Sequence, residues 1–237
     1  MFADNRLIMT TSPCLYRVYS TNNNIYNFKL LTHSDLGGRS LSNQMVNYNQ
    51  KVREMDVSQR LIIYCLGASN KPVGNKVDIQ KILFLTSKEL PDLFKDVFTF
   101  QKYKKGPYSE RIDEDVAVIS NSGYITGGEF GLSDEGYELF QEIEKRVKEP
   151  LKSSIVDNKE FVYGLTEEEL LTFIYVIFPE YTENSEVWDK IKHNRVKNAV
   201  SLLKKEKITA SQAAIIAGMN YYEFEDHLNK LKIRWKS

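Results

Sequence analysis

The segment IQKILFL (Ile79–Leu85), followed by FTFQKYKKGPYSERIDEDVAVISNSGYI (Phe98–Ile125) and LSDEG (Leu132–Gly136), decides how this chain is read. Ile79, Ile82, Leu83 and Leu90 recur at helical spacing and predict an amphipathic helix with one buried stripe. Phe98, Phe100 and Tyr103 follow with mostly period-two spacing, which predicts an extended segment packed on that helix. Gly106-Pro107 breaks the chain. Ser109 then stands where an N-cap belongs, before a helix in which Ile112, Val116 and Ile119 repeat every three or four residues until Gly123. Tyr124-Ile125-Thr126 and Glu129 to Leu132 read as two short strands joined by Gly127-Gly128, a turn that needs positive φ. Ser133 caps one more helix, with Leu139, Phe140, Ile143 and Val147 on its buried face.

A helix over residues 57–67 precedes this unit, with Val57, Leu61 and Cys65 on one face, and Asp56 with Gln59 marks its start. Helix, helix, helix, short hairpin, helix is the order of a winged helix-turn-helix, here over residues 56–148. The expected fold class is therefore mainly α with a small β-hairpin: a winged helix-turn-helix domain followed by a C-terminal helical domain. The matching positions Gln80 to Leu85, Tyr103, Gly106-Pro107-Tyr108-Ser109, Asp115, Gly123-Tyr124-Ile125, Leu132-Ser133 and Gly136 also carry a resemblance. The chain resembles a group of prokaryotic, especially archaeal, winged-helix proteins related in pattern to the Panacea antitoxin domain and more distantly to PadR-like regulators. That resemblance implies a fold more firmly than an activity.

Outside this unit the composition shifts. Residues 1–54 are rich in Asn, Ser and Thr and show no sustained period, so they read as a disordered or loosely attached arm. A second reading has translation beginning at Met55. Glu149-Pro150 opens a polar linker over residues 149–160, and residues 161–237 read as a helical domain. Within it, Thr166 with Glu169 is a capping box ahead of Leu170, Leu171, Ile174 and Ile177. A helix from about Ser185 to Lys205 carries Lys190, Lys192, Arg195, Lys197, Lys204 and Lys205 on its polar face, a pattern whose usual meaning is solvation. Thr209 with Gln212 is another capping box, Ala214 and Gly218 stand four apart, and Phe224 follows six residues later. That is the spacing of a helix-turn-helix, in which a small residue lets the helices cross and glycine permits the turn. Through Ile208, Ala214, Ala217-Gly218-Met219, Phe224, Leu228 and Ile233 this end of the chain resembles the C-terminal module of small prokaryotic antitoxins.

The 237 residues balance 32 Lys and Arg against 32 Asp and Glu, so any nucleic-acid contact must come from local patches. Two cysteines, Cys14 and Cys65, make no disulfide framework, and Cys65 sits in an apolar run as a small buried hydrophobe. A cytoplasmic, membrane-free protein is expected. His33, His193 and His227 are scattered, with no partner at a metal-binding spacing, and no glycine-rich phosphate loop is present. Neither metal nor cofactor is expected, and no local constellation points to catalysis.

Two helix-turn-helix units make double-stranded DNA the first expected partner. Lys102, Lys104 and Lys105 precede Tyr108, Ser109 and Arg111 at a helix N-terminus, where free N–H groups and the helix dipole favour a phosphate. In the C-terminal unit Lys230, Lys232 and Arg234 could hold the backbone while Asn220, Tyr221 and Tyr222 contact bases. Against this, the two presumptive recognition helices are acidic: Glu110, Asp113, Glu114 and Asp115 on one, and Glu223, Glu225 and Asp226 on the other. The leading expectation is a winged-helix transcription regulator, acting as a homodimer on paired half-sites or as part of a toxin–antitoxin pair. The alternative is an antitoxin-like module that engages a basic partner protein through Asp113, Glu114, Asp115, Glu223, Glu225 and Asp226.

Overall fold

The computed structural model describes residues 43–126 and 130–235, with the backbone alone for residues 43–47. The chain is mainly helical, with one small two-stranded antiparallel sheet among the described residues. In chain order the elements are α1 (Asn43–Glu54), α2 (Val57–Gly67), α3 (Lys76–Glu89), α4 (Pro91–Phe94), β1 (Gln101–Tyr103), β2 (Gly106–Tyr108), α5 (Glu110–Asn121) and α6 (Asp134–Glu144). They continue as α7 (Leu151–Val162), α8 (Glu167–Ile177), a 3-10 turn (Pro179–Thr182), α9 (Trp188–Lys204), α10 (Ala210–Ala217) and α11 (Tyr221–Lys230).

The central helix is α3, and its start is chemically defined. The Asn75 side chain accepts from the N–H groups of Val77 and Asp78 at 2.7 and 3.2 Å, which satisfies two donors left over at any helix N-terminus. Ile79, Ile82 and Leu83 are buried, as their spacing predicts, Leu90 of the same stripe is half-buried, and Phe84 is buried as well. The Phe84 ring meets Phe100, Phe178 and Tyr181 edge-on, at centroid distances of 5.3, 5.1 and 4.9 Å. Edge-to-face aromatic packing of this kind adds stability beyond the buried area. One cluster of buried side chains runs from Val52 to Leu228 and so includes residues from both parts of the chain.

Three expectations are corrected. Residues 43–54 are not a loose arm: they form α1, which packs on α6 and buries Val52 completely. Asparagine, a poor helix former, accounts for the weak signal, while Tyr48, Val52 and Met55 keep helical spacing. Residues 1–42 lie outside the described residues. The segment 149–160 is not a linker either, since α7 covers it from Leu151 and packs on α3. Its polar composition conceals a buried stripe of Leu151, Ile155, Asn158 and Val162, in which Asn158 donates to Thr86 Oγ1 and to the Ser154 carbonyl. The small sheet is also elsewhere than expected. It pairs Gln101 with Tyr108, Lys102 with Pro107 and Tyr103 with Gly106. The segment read as a hairpin shows, among the described residues, an antiparallel bridge between Ile125 and Leu132, with the Thr126 N–H donating to the Gly131 carbonyl at 2.9 Å and the Ser133 N–H to that of Tyr124 at 3.1 Å. Its turn, residues 127–129, lies outside the described residues.

Local helix signals hold where they were strong. Ser133 accepts from the Gly136 N–H, and both predicted capping boxes are formed, by Thr166 with Glu169 and by Thr209 with Gln212. Asp56 precedes α2 without a side-chain cap, and Gln59 turns away to donate to Asp115. Cys65 is fully buried, and burial pushes its thiol up to about 12, which leaves it unreactive.

Two predictions follow from this packing. A Cβ at Gly136 would stand 2.2 Å from the Tyr124 carbonyl oxygen, a backbone atom with no freedom to retreat. Gly136→Ala is therefore expected to lower unfolding free energy by about 2 kcal/mol in urea denaturation. Glu89 links α3 to α7 by accepting from the Ser154 hydroxyl, while its second oxygen is buried without a partner. Burial pushes its carboxyl from 4.5 up to about 7. The folded state thus holds its proton longer than the unfolded one, and stability is lost as pH rises through that window. Glu89→Gln should raise the thermal midpoint at pH 8 and leave it nearly unchanged at pH 4.

Candidate functional site

Gln80 and Lys81 are polar residues inside an otherwise apolar helix, and both are buried. Such groups need partners, and these find them on the loop that carries Gly106-Pro107-Tyr108-Ser109. Gln80 Oε1 accepts from the Ser109 N–H at 2.9 Å and its Nε2 donates to the Ser109 carbonyl at 2.8 Å. Lys81 Nζ donates to the carbonyls of Lys105 and Pro107, both at 2.7 Å. Gly106 has φ +80°, a conformation that favours glycine, in a site where a Cβ would also crowd the Leu171 and Tyr175 side chains at 3.1 and 3.3 Å. Burial, against the nearby Glu167 carboxylate, pulls the Lys81 ammonium down to about 7.

This clamp determines where the expected phosphate ligands lie. Ser109 stands at the head of α5, but its hydroxyl makes no capping bond, and it is buried without a partner. The three lysines of the hairpin each face a carboxylate from the C-terminal part of the chain. Lys102 pairs with Glu183, Lys104 with Glu186 at 2.8 Å, and Lys105 with Glu167 at 2.9 Å. The Glu186 bond raises the Lys104 ammonium above its ordinary value. Two backbone contacts reinforce the docking: the Glu186 N–H donates to the Lys104 carbonyl at 3.0 Å and Asn184 donates to that of Lys102 at 3.2 Å. Tyr108 stacks on Tyr103 at 4.8 Å, and burial followed by Asp113 raises its hydroxyl. Arg111 is held by Asp115 at 2.8 Å and by Asp56, which keeps its guanidinium charged.

The acids of α5 are similarly divided. Asp115 is buried between Arg111 and Gln59, and Asp113 pairs with Lys76 at 2.8 Å. Glu110 and Glu114 remain on the exposed side. No shared surface of four free acids exists on this helix.

The C-terminal unit keeps the expected order: α10, a turn in which Gly218 has φ +74°, and α11. Arg195 of α9 caps α10, donating to the carbonyls of Ile216 at 2.6 Å and Ile215 at 3.1 Å, so it is not part of a solvated basic face. Asn220 and Glu223 form a reciprocal capping box at 2.9 and 3.0 Å, which engages one expected base reader and one expected partner contact in holding the helix start. Phe224 and Leu228 bury the inner face. The outer face shows Tyr221, Asp226 and Tyr222, the last 77% exposed, with Glu225 half-buried beside them. Lys230, Lys232 and Arg234 are exposed and make no ion pair among the described residues.

Among the described residues no helix is long and apolar enough to cross a membrane, and no group of three metal-ligating side chains converges. Comparison with family models, with curated proteins and with solved structures finds no match for this chain.

Gln80 and Lys81, which hold the loop, were not among the residues the sequence singled out as a site. The available signal was two adjacent long polar side chains at otherwise buried helical positions. Gln80→Glu removes the donor to the Ser109 carbonyl and places a carboxyl in a buried site. Chemical denaturation is expected to show a loss of about 3 kcal/mol.

Proposed function

We propose that this protein is a non-catalytic, antitoxin-like binding module of the cytoplasm that engages a basic partner protein through the outer face of α11. The observation that carries this reading is the disposition of charge. The cations expected to meet phosphate at α5 are engaged by Glu183, Glu186 and Glu167, and Arg111 by Asp56 and Asp115. The outer face of α11, by contrast, presents Tyr221 and Tyr222 beside Glu225 and Asp226. Tyrosine is enriched at protein interfaces because a rigid ring gives much contact area for little ordering entropy, and flanking carboxylates select a basic partner. The resemblance of residues 56–148 to the Panacea pattern agrees with such a role, and a winged-helix arrangement is part of this reading.

A second reading, DNA binding through the same helix-turn-helix, is favoured by one observation: Lys230, Lys232 and Arg234 are exposed and make no ion pair among the described residues. There they would hold phosphates while the α11 N-terminus faced the groove.

Charge reversal separates the two. A photo-crosslinking amino acid at Tyr222, used in the native host, is expected to capture one protein whose yield collapses at least tenfold in Glu225→Lys/Asp226→Lys and persists in Lys230→Glu/Lys232→Glu/Arg234→Glu. Fluorescence polarisation on the chain's own upstream DNA should then show no preference over scrambled DNA at near-physiological salt. Preferential DNA binding lost in the second variant alone would replace the protein partner with the operator.

A further inference from the structure

A cavity of about 430 Å³ lies between the loop ahead of α3, the end of α7 and the start of α8. That volume is in the range of small-molecule sites. Its walls include Val73, Ile82, Val162, Leu165, Leu170 and Leu171, an apolar surface large enough for a short alkyl chain. Two side chains on the same lining are ammonium groups buried to 3% and 1% exposure, Lys81 and Lys159. Each has a structural duty that uses two of its three donors. Lys81 donates to the Lys105 and Pro107 carbonyls, and Lys159 donates to those of Leu66 and Ala68 at 2.7 and 2.5 Å, where it caps the end of α2. One N–H on each remains without a protein acceptor among the described residues.

Among the described residues neither carboxylate on this lining hydrogen-bonds these ammonium groups, although Glu167 acts on Lys81 through space. Asp78 accepts from the Gly74 N–H at 3.1 Å, and Glu167 pairs with Lys105 at 2.9 Å. A buried ammonium short of an acceptor is costly, and two of them lining one cavity with an apolar wall define what would stabilise it. We propose that this cavity is a binding site for a small amphipathic carboxylate, whose acid group accepts from Lys81 or Lys159 and whose alkyl chain lies against Ile82, Val162 and Leu170. Burial lowers the ammonium of both lysines, so a bound carboxylate also restores charge where desolvation disfavours it. The site is separate from α11 and does not depend on the partner assigned to that helix.

Octanoate, below its aggregation concentration, and octan-1-ol as the uncharged control test the proposal by calorimetric titration of the full chain at pH 6.5. Saturable binding of one octanoate per chain is expected, at least tenfold tighter than octan-1-ol. Val77→Trp places a large ring at a lining position that is 39% exposed, so the fold should tolerate it, and Leu165→Trp fills the cavity from the opposite rim. Circular dichroism verifies that each variant is folded, and either folded variant should weaken octanoate at least tenfold. No saturable binding to the unaltered chain, equal affinity for the alcohol, or full affinity in a folded variant would overturn the site.

Discussion

Two adjacent side chains of α3 read the backbone of a loop some 25 residues away, and much of the structure depends on that recognition. The β1–β2 ribbon has three residues in each strand, too few to stand alone in water. Gln80 closes on both backbone groups of Ser109, while Lys81 holds the carbonyls of Lys105 and Pro107, which flank Gly106. The ribbon is thereby fixed against α3, and the entry of α5 is fixed with it. Sequestering an ammonium here is costly, as the lowering of Lys81 to about 7 shows. It persists because two carbonyls would otherwise lose their partner.

The same docking explains why a basic hairpin is not a basic surface. Its turn lies against the segment between α8 and α9, where Lys102 and Lys104 meet Glu183 and Glu186, while Lys105 meets Glu167 at the start of α8. Exposed ion pairs of this kind contribute at most about 1 kcal/mol each. Their weight is in electrostatics: three positive charges are compensated locally, and little field remains to attract phosphate. With 32 basic and 32 acidic residues in the chain, an uncompensated patch elsewhere has more influence than its size suggests. Glu225 and Asp226 on the outer side of α11, and the cations Lys230, Lys232 and Arg234 at and after its end, are two such groups of opposite sign that make no ion pair among the described residues.

How much of this was legible follows from the range of each interaction. The capping boxes at Thr166 and Thr209, the cap at Ser133 and the left-handed Gly218 are set within three or four residues, so the sequence displays them directly. The stripes of α3, α5 and α6 were legible because their apolar residues are strong and periodic. Helices α1 and α7 were hidden, since asparagine, serine and lysine fill much of them and a few buried positions hold them by tertiary contact alone. The pairings of Lys102, Lys104 and Lys105 span 62 to 82 residues, and no local pattern reveals that a lysine run is already partnered. The candidate surface on α11 was legible as residues, whereas in the structure Asn220 and Glu223 are engaged in the helix's own cap.

Buried polar side chains are also unevenly distributed, and the distribution bears on where variation is tolerated. Gln80, Lys81, Thr86, Asn158 and Lys159 concentrate on α3 and α7, each bonded to a specific backbone or side-chain atom. Such groups make the register of these helices nearly obligatory, because a shift would leave several of them unpaired at once. Helix α11 is held differently. Phe224 and Leu228 anchor it and its cap is built from its own residues, so no buried polar bond of α11 constrains its outer face. A face supported in this way can change its tyrosines and carboxylates without disturbing the helix beneath. That freedom is what a surface adapting to a partner requires, and the α3–α7 pair cannot provide it.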